Sequence, residues 1–267
     1  VISLHFSHLG GKIVDAAPGA ADHQRSSKGT SFLYPSPRQL QMATSRKVIA
    51  CATVIEEMLP LLPGDVTYEV LDFGLHLTPE KLRNQLQAAI DVACSKVNAV
   101  ILGYGLCSMA VVGLKATGCT LIVPRVDDCI AIFLGSRAAY QEQFSREPGT
   151  YYLTKGWIEV NDTPFAEYER LAEKYGPEQA DRMIKLMLKN YTRLAFIDTG
   201  HYEQERYREH ARRIAERFGL RYEEIPGSKT LVKKMLYGPW DDDFVIAHPG
   251  ETISYADFKP TAIPERS

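Results

Sequence analysis

Residues 98–137 read NAVILGYGLCSMAVVGLKATGCTLIVPRVDDCIAIFLGSR, and two short apolar runs within them, Ala99–Leu102 and Thr120–Val123, are bounded by turn residues. Uninterrupted apolar runs of this length mark strands buried on both faces of a parallel sheet. Gly103-Tyr-Gly-Leu-Cys107-Ser108 follows the first run, and Pro124-Arg-Val-Asp127-Asp128-Cys129 follows the second. In one parallel sheet both segments lie beyond the carboxyl ends of the strands, where open α/β sheets hold their ligands.

Upstream, Lys47–Cys51 and Val66–Phe73 read as two further strands, with a short helix over Thr53–Leu62 between them. Thr78-Pro79-Glu80 opens a longer helix, Thr78 as its cap and Pro79 in its first turn. Leu82, Leu86, Ala89, Ile90, Ala93 and Val97 form one apolar stripe along it. Helices are expected over 109–116 and 130–144, and an aromatic loop or hairpin over 148–157. Helices at 164–175 and 177–190 then lead into strands at 194–198, 220–225 and 244–247, separated by helices at 203–218 and 228–237.

This alternation predicts an α/β fold, a Rossmann-like or flavodoxin-like parallel sheet over 46–160 with a second, smaller α/β lobe over 161–255. Residues 1–45 contain Gly-Gly and Ala-Ala-Pro-Gly-Ala-Ala without a sustained apolar period, and are expected to be a disordered extension; 256–267 read as a tail.

The formal net charge of −2 gives no reason to expect nucleic acid or an anionic membrane as partner. No apolar stretch reaches the ~18 residues that span a bilayer. Five cysteines, an odd number, and an opening Val-Ile-Ser-Leu-His-Phe too short for a signal core point to a reducing cytoplasm. Cys94 and Cys119 are expected to pack as small apolar side chains.

Four metal-capable residues fall at strand ends: Cys51 closes the first strand, His76 follows the second, Cys107 the third and Cys129 the fourth. Thiolate and imidazole suit a tetrahedral zinc ion, and three such sulfurs would stand within about 6 Å of one another. No C-x-x-C pair supports the metal, so a metal-free site is the alternative, with Cys107, Cys129 and Asp128 as the reacting groups. Cys129 at a helix start is expected to be the most thiolate-like. Gly103 and Gly105 would bring the backbone close to a ligand, although Ser108 breaks any dinucleotide fingerprint. Arg125 and Arg137 would hold an anionic part of a small-molecule substrate. In the second lobe, Asp198-Thr-Gly-His201 and Pro226-Gly-Ser228-Lys229 occupy equivalent turns, Ser228 as a helix cap or an anion site.

Leu75-His76 before Thr78-Pro79-Glu80, Gly103-Tyr-Gly-Leu-Cys107, Pro124-Arg125, Asp128-Cys129-Ile130, Leu134-Gly135-Ser136-Arg137 and Gly149-Thr-Tyr-Tyr152 with Gly156-Trp157 together resemble domain-of-unknown-function family 1638. The resemblance covers roughly 46–250. It implies an association with anaerobic one-carbon metabolism, where similar proteins accompany corrinoid-dependent methyltransferases. On that basis the chain is expected to be a zinc–thiolate protein acting in, or assisting, corrinoid-linked methyl transfer, with a corrinoid protein or methyltransferase as partner. The alternatives are a metal-free hydrolase- or racemase-like enzyme and a non-catalytic ligand-binding accessory protein.

Overall fold

The structure is a computed structural model, and it describes residues 45–106, 109–160, 163–200 and 204–259. Five strands form the first sheet: β1 (Arg46–Cys51), β2 (Thr67–Leu71), β3 (Ala99–Gly103), β4 (Thr120–Pro124) and β8 (Phe244–Ala247), in the order β2-β1-β3-β4-β8. β2, β1, β3 and β4 run parallel, while β8 is antiparallel to β4. The second sheet holds β5 (Thr150–Leu153), β6 (Arg193–Asp198) and β7 (Arg221–Pro226), all parallel. The expected α/β architecture with a second, smaller sheet is therefore the observed one.

β3 and β4 are buried at every position, as their unbroken apolar runs require. α1 (Ala52–Met58) leaves β1, and α2 (Pro79–Cys94) buries Leu82, Leu86, Ala89, Ile90 and Ala93 against the sheet. Thr78 precedes α2 as read, but its side chain makes no capping bond.

The helix expected over 109–116 does not form. Met109 and Gly113 have φ of 69° and 92°. The amides of Gly113 and Ala116 donate instead to Ile253 and Glu251, at 2.8 and 3.0 Å. A distant segment satisfies the backbone groups that a helix would have paired internally. The helix expected over 130–144 is two, α3 (Cys129–Leu134) and α4 (Arg137–Arg146). Gly135 ends the first in the left-handed region, and Ser136 caps the second by accepting from the Ala139 amide at 3.1 Å.

The aromatic stretch at 148–157 is neither loop nor hairpin. It supplies β5, paired with β6, and then α5 (Lys155–Val160). The later helices are α6 (Pro164–Tyr175), α7 (Pro177–Met187), α8 (Gln204–Phe218) and α9 (Thr230–Tyr237). Strands from both sides of the boundary expected at 160 exchange places, β5 joining the second sheet and β8 the first. Of the expected N-terminal extension only Ser45 is described, and His201 and Cys107 also lie outside the described residues. The expected tail starts inside ordered structure, since Phe258 is buried in the short helix Tyr255–Phe258.

Cys94, at the end of α2, and Cys119, entering β4, are joined by a disulfide across a Cα separation of 4.9 Å. This corrects the reading of both as packing thiols. Among the described residues no helix is long and apolar enough to cross a membrane.

Candidate functional site

The carboxyl ends of the first sheet lie where the strand pattern puts them. Cys51 ends β1 at 1% exposure, with Sγ 3.2 Å from Thr53 Oγ1. Burial pushes its thiol pKa up, and the Thr53 hydroxyl offsets this only in part. The Nδ1–H of His76 donates to the carbonyl of Phe73 at 2.8 Å, and its ring stacks on Tyr104 with centroids 5.8 Å apart. The segments leaving β2 and β3 thus meet beyond β1, which lies between them.

Among the described residues no three His, Cys, Asp or Glu side chains are grouped to hold an ion. Cys107, one of the three sulfurs expected to converge with Cys51 and Cys129, lies outside the described residues; Cys51, His76 and Cys129 are described and form no such group. Each follows a parallel strand, but Cys51 turns into the core toward Thr53, and Cys129 is the buried first residue of α3.

Gly103 and Gly105 are accounted for by the protein's own packing. A Cβ on Gly103 would lie 2.5 Å from Ala50 Cβ, and one on Gly105 would lie 2.8 Å from the Val126 carbonyl oxygen. Both residues let neighbouring strand ends close on each other. The two arginines are also engaged internally. Arg125 donates to the carbonyls of Phe244 and Lys259 at 3.0 and 3.2 Å, and Arg137 to the carbonyl of Phe258 at 2.8 Å and to Asp127 at 3.3 Å. Both reach the end of the short helix Tyr255–Phe258, and Arg137 also pairs with the Asp127 carboxylate. Ser228 spends its amide on the Phe133 carbonyl at 2.8 Å, and its hydroxyl accepts from the Thr230 amide at 3.2 Å in a turn before α9; the cap of α9 is Lys229, without a side-chain bond, so the capping expectation for Ser228 is corrected.

Asp128 is the site residue whose environment departs most from an ordinary carboxylate. It precedes α3, is 8% exposed, and accepts from the Ile130 amide at 2.9 Å. Burial raises its pKa, and the Ile130 amide and the Tyr140 hydroxyl offset that only partly. Tyr140 on α4 is itself raised, first by burial and then by the Asp128 charge. Tyr152 on β5 lies beside it, with ring centroids 6.2 Å apart. A buried carboxyl with a raised pKa, next to a phenol, is an environment suited to proton transfer.

The sequence reading missed a second polar group. The segments leaving β5 and β6 pack on α1: a Cβ on Gly156 would lie 3.3 Å from Thr53 Cα, and Thr199 donates to Glu57 at 2.8 Å. Lys155 bonds to Glu56, and to Glu159 at 2.8 Å. Burial pulls the Lys155 ammonium pKa down, but its carboxylate partners outweigh this and raise it. Tyr207 on α8 donates to Glu159 at 2.5 Å. Its pKa is raised by that bond, whereas burial of Glu159 is outweighed by the Lys155 and Tyr207 bonds, which lower it. The lone signal in the sequence was Lys155-Gly156, a charge beside a glycine directly after an aromatic strand.

A mostly parallel sheet and a smaller parallel one, whose carboxyl-end segments pack on one another around buried polar side chains, define a Rossmann-like α/β protein with an internal polar site. Residues 70–236 match the model of a family described as Protein of unknown function (DUF1638), and the chain belongs to that family. No curated protein and no solved structure matches it.

Proposed function

We propose that this chain is an enzyme that moves protons on a small molecule at the carboxyl edge of the five-stranded sheet, without a metal, with Asp128 as the proton-carrying group. The observation that carries the reading is the Asp128 carboxyl, buried at 8% exposure and raised in pKa while it interacts with Tyr140. General acid–base groups work best with a pKa near the operating pH, and burial is the usual means of bringing a carboxyl there. Cys129, next in the chain, is a buried thiol beside that carboxyl. The zinc–thiolate reading adds only Cys107 to donors that are not grouped, so no step is assigned to a metal. Corrinoid-linked methyl transfer rests on the family resemblance alone, and no residue described above is given a role in it.

The test is turnover of a defined mixture of small metabolites in D2O, followed by mass spectrometry for consumption or deuterium uptake, with a chelator present. The wild-type protein is expected to act on at least one component, and Asp128→Asn to be slower by roughly 100-fold or more. Turnover that disappears with the chelator and returns with zinc contradicts the proposal. So does an Asp128→Asn variant with full activity, or an absence of turnover across the mixture.

A further inference from the structure

Arg193 opens β6 and is 3% exposed, although a buried guanidinium is costly unless its donors are matched. Its three nitrogens reach three different elements. Nε donates to the Thr150 hydroxyl on β5 at 2.8 Å, one Nη to the Glu223 carboxylate on β7 at 3.1 Å, and the other to the Gln143 side-chain oxygen on α4 at 3.0 Å. Thr150 in turn donates to the carbonyl of Glu147, where α4 ends, at 2.7 Å. The strands themselves are paired through their backbones. What Arg193 adds is a double tie from the second sheet to the last turn of α4.

Tyr140 stands on the part of α4 that these bonds hold. It lies three residues before Gln143, one turn along the same face, and its ring centroid is 6.2 Å from that of Tyr152 on β5. Thr150 and Tyr152, two apart on a strand, share the face of the sheet that α4 covers. From this position the Tyr140 hydroxyl meets the Asp128 carboxyl. Asp127, the neighbouring carboxylate, is engaged by Arg137 at 3.3 Å. A hydrogen bond weakens steeply with misalignment, so the placing of α4 decides how well that phenol serves Asp128.

We propose that Arg193 is a positioning residue: through Gln143 and Thr150 it clamps α4 onto the second sheet and so holds the Tyr140 hydroxyl on the Asp128 carboxyl. The inference rests on the reading of Asp128 as the working group and deepens it. The smaller sheet then has a task in the chemistry of the larger one, since the pairing of β5 with β6 sets where a phenol stands relative to a carboxyl that follows β4.

Carbon-13 titration of the Asp128 carboxyl in the full, aspartate-labelled chain tests it. Two variants cut the clamp without removing a charge. Arg193→Lys carries an ammonium that cannot span Thr150, Gln143 and Glu223 as the planar fork does. Gln143→Met keeps the bulk of a half-buried side chain and loses its acceptor. The Tyr140 bond favours the ionised carboxylate, so both variants are expected to raise the Asp128 midpoint toward that of Tyr140→Phe. In a Tyr140→Phe background neither is expected to move it further. An unchanged midpoint in both variants, or in Tyr140→Phe itself, would overturn the proposal. A further shift in the Tyr140→Phe background would overturn it too, by showing that Arg193 reaches Asp128 by another route. If Arg193→Lys does not fold, Gln143→Met decides alone. Turnover is no part of this readout, so a failed clamp and a failed catalytic role for Asp128 are told apart.

Discussion

Thr199, the residue after β6, donates its hydroxyl hydrogen to a carboxylate oxygen of Glu57 on α1, 2.8 Å away. Glu57 is 3% exposed and Thr199 7%, so the bond joins the carboxyl end of the second sheet to the helix that leaves the first, out of contact with water. A hydrogen bond to a buried charge contributes about 1.5–3 kcal/mol. Thr199→Val, which keeps the shape and removes the donor, is expected to lower the melting temperature by roughly 4–8 °C. Thr199→Ser should recover most of the loss. A thermal scan of the three proteins checks this, and an unchanged Thr199→Val would contradict it.

The Cys94–Cys119 disulfide closes a loop with a sequence separation of 25. Constraining the unfolded chain over such a loop contributes about 3 kcal/mol. Peptide mapping without reductant is expected to recover the two cysteines as one linked peptide. The double variant Cys94→Ala/Cys119→Ala should melt below the wild type and lose its sensitivity to reductant. Rapid native alkylation of both thiols would contradict the assignment.

Arg125 and Arg137 together bind the carbonyls of Phe244, Phe258 and Lys259. Arg137→Ala is expected to loosen the C-terminal helix, so that limited proteolysis cuts near Phe258 at least several times faster. Arg137→Lys should restore little, because an ammonium cannot reproduce the two-pronged geometry of the guanidinium. Equal cleavage rates in all three proteins would show that the clasp does not hold this segment.

Much of the fold was legible because strands buried on both faces carry apolar runs, as Val48–Cys51 of β1, Ala99–Gly103 of β3, Leu121–Pro124 of β4 and Leu194–Ile197 of β6 do. β5 escaped notice because Thr150-Tyr-Tyr-Leu153 is only four residues long and follows Pro148-Gly149. The false helix at 109–116 has the right composition, but its backbone donors are taken by residues 251–253, far along the chain. The first sheet's strand ends were readable in the same way, which is how Asp128 and Cys51 were found. Their chemistry was not readable, because burial raises both pKa values and burial depends on what packs above them. Glu56, Glu57, Lys155 and Glu159 read as the charged faces of short helices. Only the placement of the second sheet brings them together.

Burial holds the Asp128 carboxyl above its ordinary range, so the folded chain binds that proton more tightly than the unfolded chain does. The stabilisation is complete below the unfolded value of ~3.9 and is lost as the pH rises through the folded value. Asp128→Asn is neutral at every pH and can still accept from the Ile130 amide. It is expected to match the wild type near pH 4 and to be the more stable protein at pH 8. Melting curves of the two across that range check the sign, and a pH-independent difference between them would contradict it.

The raised pKa of Asp128 is central to the functional reading, and its carboxyl carbon reports it directly. Carbon-13 NMR of aspartate-labelled protein, with Asp128→Asn used to assign the resonance, gives the titration of this one group. The expected midpoint lies above the ordinary carboxylate range. Tyr140→Phe should move it higher still, because the tyrosine hydroxyl favours the ionised form. A midpoint at or below the ordinary range, indifferent to Tyr140, would contradict the proton-carrying role of Asp128 and with it the proposed chemistry.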